Sequence, residues 1–300
     1  MKIINTDQDA IQFFNDSVEC TNVLFNGINF KQNVLEKFLG GYYNLKNVIF
    51  KGCTFQEGYE RALPSYDFKF SGVLKIQGCV FENMPLHFSS NVSSSLLLLN
   101  SKFRDSSIVL KGGINNILFD SCVADRILTF FTFEFSPKLQ IINSKVHSIK
   151  FDGIYPSSNM TFNNNTLNIV SSKIERVNLS TSVKLFALSS GGSTIKSLFN
   201  KNLVEELYMS VSTFKECDFS NVSFENASIR ENSAFINCNM RNADLSKVIL
   251  QDRRVFSILI SFDKCKNVHT MEIPNDLLLR KGNWISDRYE LVHKERGSGR

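Results

Sequence analysis

Large apolar residues fall at Phe214, Phe219, Phe224 and Ile229, and after one inserted residue at Phe235, Met240, Leu245 and Leu250. Two positions before each stands a smaller residue: Ser212, Cys217, Val222 and Ala227, then Ser233, Cys238, Ala243 and Val248. A beat of five fits neither the 3.6-residue period of a helix nor the two-residue period of a strand. It fits a chain that turns a square corner every five residues and points two side chains of each side inward. Four corners make a coil of about twenty residues, and stacked coils share one continuous core.

The rest of the chain carries looser copies of the same pattern. Thr6 to Asn15 predicts a short amphipathic helix, with Thr6 as N-cap, Asp7 and Asp9 in the first turn, and Ile11, Phe13 and Phe14 as the apolar face. A second short helix is predicted over 33–40. The middle repeats an apolar-x-apolar pair followed by a small or amide residue and one more apolar residue. Copies are Val48-Phe50-Cys53-Phe55, Leu74-Ile76-Cys79-Phe81, Ile117-Phe119-Cys122-Ala124 and Met160-Phe162-Asn165-Leu167. This predicts an N-terminal helical cap over 1–17 and a β-helical solenoid over 18–250 with a joint at 180–206. A last coil, a C-terminal cap and a tail follow over 251–300. Leucine-rich repeats share a similar signature and are the alternative solenoid. Their return segments are helical or 3₁₀, whereas the returns here, such as DRILTFFTFEF, read as strands.

The segment 212–250 resembles the pentapeptide-repeat family, whose unit is a small residue, Asp or Asn, Leu or Phe, and two polar residues. Ala243-Asp244-Leu245-Ser246-Lys247 and Cys217-Asp218-Phe219-Ser220-Asn221 match it as they stand. The resemblance implies an all-β fold, a right-handed, four-sided parallel β-helix. Its functional implication is broad, since members include scaffolds, secreted effectors and gyrase-protecting DNA mimics.

Composition narrows this. The 27 phenylalanines suit an interior that stacks ring on ring. A net charge of +5 with no Lys/Arg run signals no nucleic-acid groove and speaks against DNA mimicry. The seven cysteines form no CxxC pair and read as buried core thiols, which implies a reducing compartment. The N-terminus has no signal-peptide core, and no apolar run is long enough to span a bilayer. The expected location is cytoplasmic, with export into a host cell by a signal-peptide-independent route as the alternative.

Chemistry is sparse. No GxSxG, Walker or GxGxxG motif occurs, and the histidines show no metal-ligand spacing. Asp120, Asp125 and Arg126 are the nearest approach to the Asp/Arg clusters of polysaccharide-acting β-helices, and they read as corner residues. The sequence therefore predicts a non-catalytic interaction scaffold without cofactor or metal, as a bacterial effector or accessory protein. A regulator of a DNA-acting enzyme and a polysaccharide-acting enzyme are the alternatives. Its partner would be another protein or a second copy of the chain.

Two contact surfaces are predicted. Counting inward positions puts Ile108, Leu128 and Phe151 in successive coils. Alternation from Phe130 then turns Phe131, Phe133 and Phe135 outward. The C-terminal segment offers Arg280, Trp284, Arg288 and Tyr289, residue types that anchor interfaces.

Overall fold

In the computed structural model the described residues are 1–17, 19–31, 34, 38, 44–56, 66–133, 138–152, 161–163, 167–170, 173–180, 184–186, 199–200, 204–210, 213–231, 233–250 and 260–272. Every strand pairing among them is parallel, and hydrogen-bonded partners lie roughly 20 to 30 positions apart in the chain. Such spacing is the signature of a solenoid, in which each coil binds the coils before and after it.

Four ladders of in-register positions define four walls. The first runs Ile4–Phe25–Phe50–Ile76–Leu98 and continues through Phe119, Ile141 and Ile169. The second joins Phe30, Phe55, Phe81, Phe103 and Ala124, then Val146, Ile174 and Val204. The third passes from Phe68 and Phe88 through Leu110, Phe130, Phe151, Leu179 and Met209 to Ile229 and Leu250. The fourth is Phe162–Leu185–Phe214–Phe235–Phe262. Between Phe162 and Leu185 the chain visits Ile169, Ile174 and Leu179, one position on each other wall, so that stretch is one complete coil.

The five-residue beat survives in the structure. Phe214, Phe219, Phe224, Ile229, Phe235, Met240 and Leu245 are buried, as are Cys217, Val222, Ala227, Ser233, Cys238, Ala243 and Val248. Phenylalanine suits this core because identical rings one strand apart can stack face to face. Phe30 and Phe55 lie 4.4 Å apart at 4°, and Phe81 and Phe103 5.0 Å apart at 10°.

Corners require left-handed backbone. Positive φ occurs at Gly27, Gly52, Gly78, Asn100, Ser121 and Asn143, each immediately before a buried residue of the first-to-second corner, Ile28 in the first case and Cys or Ser in the others. Asn and Gly tolerate this conformation at little cost, which explains the abundance of Asn in the chain.

The amino end is closed by the helix Asp7–Asp16, capped by Thr6, whose Oγ1 accepts from the Asp9 N–H at 3.1 Å. Phe13 and Phe14 are buried against Phe25, and Phe14 packs on Phe38. Val34 and Phe38, in the stretch expected to form a second helix, are helical and buried. The strand Lys2–Ile4 pairs with Val23–Phe25, so the first wall begins ahead of the helix expected to cap the chain over 1–17. Strands Lys184–Phe186 and Val204–Ser210 keep register with both neighbours, while most of the region expected to be a joint, including 187–198, lies outside the described residues.

Register corrects two expectations. Ile149, not Phe151, follows Ile108 and Leu128; Phe151 follows Phe130. The copy Met160-Phe162-Asn165-Leu167 does not continue the ladder of Phe119 and Ile141. Leu167–Val170 does, while Phe162 starts the fourth ladder.

Candidate interaction surface

The outer surface of the first wall follows from its inner one. Side chains alternate along a strand, so the residues between the buried pairs Val23/Phe25, Val48/Phe50, Leu96/Leu98 and Ile117/Phe119 face outward. These are Leu24, Ile49, Leu97 and Leu118. Register aligns them in one column, headed by Ile3, with Lys75 between Ile49 and Leu97. Ile3 is 56 % exposed and the others are half-buried by their neighbours above and below. An outward column on a solenoid wall is ordinarily polar, and this one is apolar in five of its first six places.

The columns beside it are largely polar. On one side register aligns Asn26, Lys51 and Gln77 with Leu99 and Asp120; on the other, Val73, Ser95, Asn116 and Lys138. Lys51 and Lys138 are exposed and Lys75 half-buried. The carboxylate on this face, Asp120, accepts a bond from Ser121 Oγ at 2.9 Å. The face is thus a narrow apolar stripe in a cationic setting. Its sequence signal was the middle position of each apolar-x-apolar pair, together with the unbroken run Leu96–Leu99; reading only the flanking positions passed over it.

Of the residues singled out in the sequence, Phe131 and Phe133 lie in the strand Val123–Phe133, with side chains outside the described part of the molecule. Leu110 pairs with Phe130 and Gly112 with Phe133, so the strand carries one extra residue there. That bulge interrupts the alternation from which their outward direction was counted. Phe135, Arg280, Trp284, Arg288 and Tyr289 lie outside the described residues.

The Asp/Arg group resolves into corner bonds. Arg126 holds Asp105 through Nη2 at 2.7 Å and Nε at 3.1 Å, and Asp125 accepts from the Asp105 N–H at 2.7 Å. His87 Nδ1 lies 3.0 Å from Asp67. Among the described residues no group of three or more His, Cys, Asp or Glu side chains is arranged to hold a metal. No helix among them is long and apolar enough to cross a membrane.

The thiols form two ladders. Cys53, Cys79 and Cys122 follow the first wall at its corner with the second, where Ser101 stands between Cys79 and Cys122 and Ser144 follows Cys122. Cys217, Cys238 and Cys265 follow the fourth wall. Cys79, Cys122 and Cys238 donate to carbonyls of the preceding coil at Phe50, Leu98 and Phe214, at 3.5, 3.2 and 3.4 Å. Ser101 and Ser144 accept in addition from the Cys79 and Cys122 N–H groups at 3.1 Å, and Ser144 Oγ donates to the Phe119 carbonyl at 3.4 Å. Burial pushes Cys20 up to about 12 and Cys122 up to about 11. The adjacent Cys217 thiol, with burial, pushes Cys238 up to about 12. Thiols held this far from ionisation are poor nucleophiles, so their work is packing.

Comparison with known families agrees with this geometry. The family model described as pentapeptide repeats matches residues 212–252 in eight copies. No curated protein and no solved structure matches the chain.

Proposed function

We propose, from the premise that the chain is a pentapeptide-repeat protein with its matched repeats at 212–252, that it acts as a non-catalytic interaction scaffold. Its binding face would be the outer surface of the first wall. The observation that carries this reading is the outward column of Leu24, Ile49, Leu97 and Leu118 on consecutive or near-consecutive coils. A wall fixed by hydrogen bonds on both sides presents such a column without ordering cost, which favours recognition by a partner. The matched repeats and the coil after them carry a polar row in the corresponding place, Asp218, Asn239 and Lys266, so among the described residues the apolar face belongs to the amino-terminal part.

The test is affinity capture from a lysate of the source cells, comparing the parent with a Leu97→Ser/Leu118→Ser variant. The expected result is loss of captured proteins with an unchanged melting temperature. An unchanged set of captured proteins would overturn the reading.

A further inference from the structure

Resting on that reading, we infer that the first wall receives an amphipathic α-helix of a partner protein, laid along the solenoid axis with acidic residues beside its apolar ridge. Three observations lead there. The column rises one rung per coil, about 4.8 Å, so from Ile3 to Leu118 it spans roughly 24 Å. A helix presents one face every 5.4 Å, whereas an extended chain presents one every 6.6 to 6.8 Å. The helical repeat is the nearer match, and about sixteen residues cover the stripe.

Width gives the second argument. The apolar column is one residue wide over most of its length, bounded by Lys51 and Gln77 on one side and Ser95 and Asn116 on the other. A single helical ridge fills such a stripe. A bilayer surface calls for a broad face of projecting side chains, and Leu24, Ile49, Leu97 and Leu118 are half-buried in the wall. Charge gives the third. Lys51, Lys75 and Lys138 outnumber Asp120 on this face, which selects a helix carrying Asp or Glu on its flanks.

The experiment is selection of the full-length protein against displayed helical peptides of about sixteen residues, with a fixed leucine ridge and randomised flanks. Enriched peptides are expected to carry Asp and Glu in the flanks. The best of them should bind at least about tenfold more weakly to Leu97→Ser/Leu118→Ser and to Lys51→Glu/Lys75→Glu, a loss typical of disrupted interface anchors and charge complementarity. Because the lysine variant changes no core residue, it decides the matter even where the leucine variant folds poorly. Absence of enrichment, enrichment of Lys or Arg, or binding that ignores both variants would overturn the inference. Co-sedimentation with phosphatidylserine vesicles, abolished by the same variants and without peptide enrichment, would assign the wall to a membrane surface instead. The two readings fail separately. If lysate partners are lost from the leucine variant while no helix is enriched, the helix falls and the contact face stands. If the leucine variant keeps every lysate partner, both fall.

Discussion

Phe55 lies between two rings, 4.4 Å from Phe30 and 4.4 Å from Phe81, at 4° to each. Truncating it leaves a hole that neighbouring strands, pinned by their own hydrogen bonds, cannot close. Phe55→Ala should lower stability by about 3 to 5 kcal/mol in urea melts, and Phe55→Leu by much less. A loss below about 1 kcal/mol for Phe55→Ala would mean the ladder is not the core.

The run Leu96–Leu99 offers a direct reading of the register. Leu98 is fully buried and Leu97 faces outward. Leu98→Thr should cost more than about 2 kcal/mol, whereas Leu97→Thr should stay within about 1 kcal/mol of the parent. Reversed sensitivities in thermal melts would place the wall inside out, since a one-residue slip exchanges its faces.

Corner positions should obey conformation rather than volume. Gly52 has φ +61° and open space where a Cβ would stand, and Asn100 and Asn143 hold the equivalent place in later coils. Gly52→Asn should therefore be nearly neutral, and Gly52→Val should cost about 1 to 2 kcal/mol. Gly112 differs, because a Cβ there would meet the Ser90 carbonyl oxygen at 2.3 Å. Gly112→Asn should then destabilise far more than Gly52→Asn in the same melts.

The buried thiols link stability to pH. An unfolded cysteine ionises near pH 8.5, while burial holds Cys20 and Cys122 up to about 12 and about 11. The folded pKa is the higher one, so this contribution is fully present below about pH 8.5 and is lost as pH rises through the folded values. Each such thiol should remove about 1.4 kcal/mol per pH unit across that window. Urea melts between pH 7 and 10.5 should show a decline that is shallower in Cys122→Ser. The native protein should also resist alkylation at these cysteines and react fully when unfolded. Rapid native labelling of Cys122 would contradict the assignment.

The sequence disclosed the kind of fold because its core positions are periodic in chemistry: Phe214 to Leu245 and the thiols could be placed inward by spacing alone. Pairing between coils was less legible. The copies around Phe119 and Phe162 look alike, yet they lie on different walls, because the lengths of the intervening turns set the register. Spacing alone sets Phe151 beside Leu128 for the same reason, whereas its partner is Phe130. The strand Lys2–Ile4 carries too short a pattern to announce itself and owes its place to Val23–Phe25. The outward column was hidden because Leu24, Ile49, Leu97 and Leu118 stand in different coils, and their adjacency exists only after the chain has wound.

The displacement between the two thiol ladders bears on how such a chain can be shortened or recombined. Cys53 and Cys79 follow the first wall, whereas Cys217 and Cys238 follow the fourth, although the local motif is the same. A deletion that removes one whole coil within either half keeps every later residue on its own wall. A crossover that joins the motif at Cys79 to the motif at Cys217 looks seamless in sequence, yet it turns everything downstream by a quarter revolution. The polar row Asp218–Asn239–Lys266 would then leave the side of the rod that bears Leu24 and Ile49. Whoever edits this protein by matching motifs will obtain a well-formed rod whose two halves face different directions.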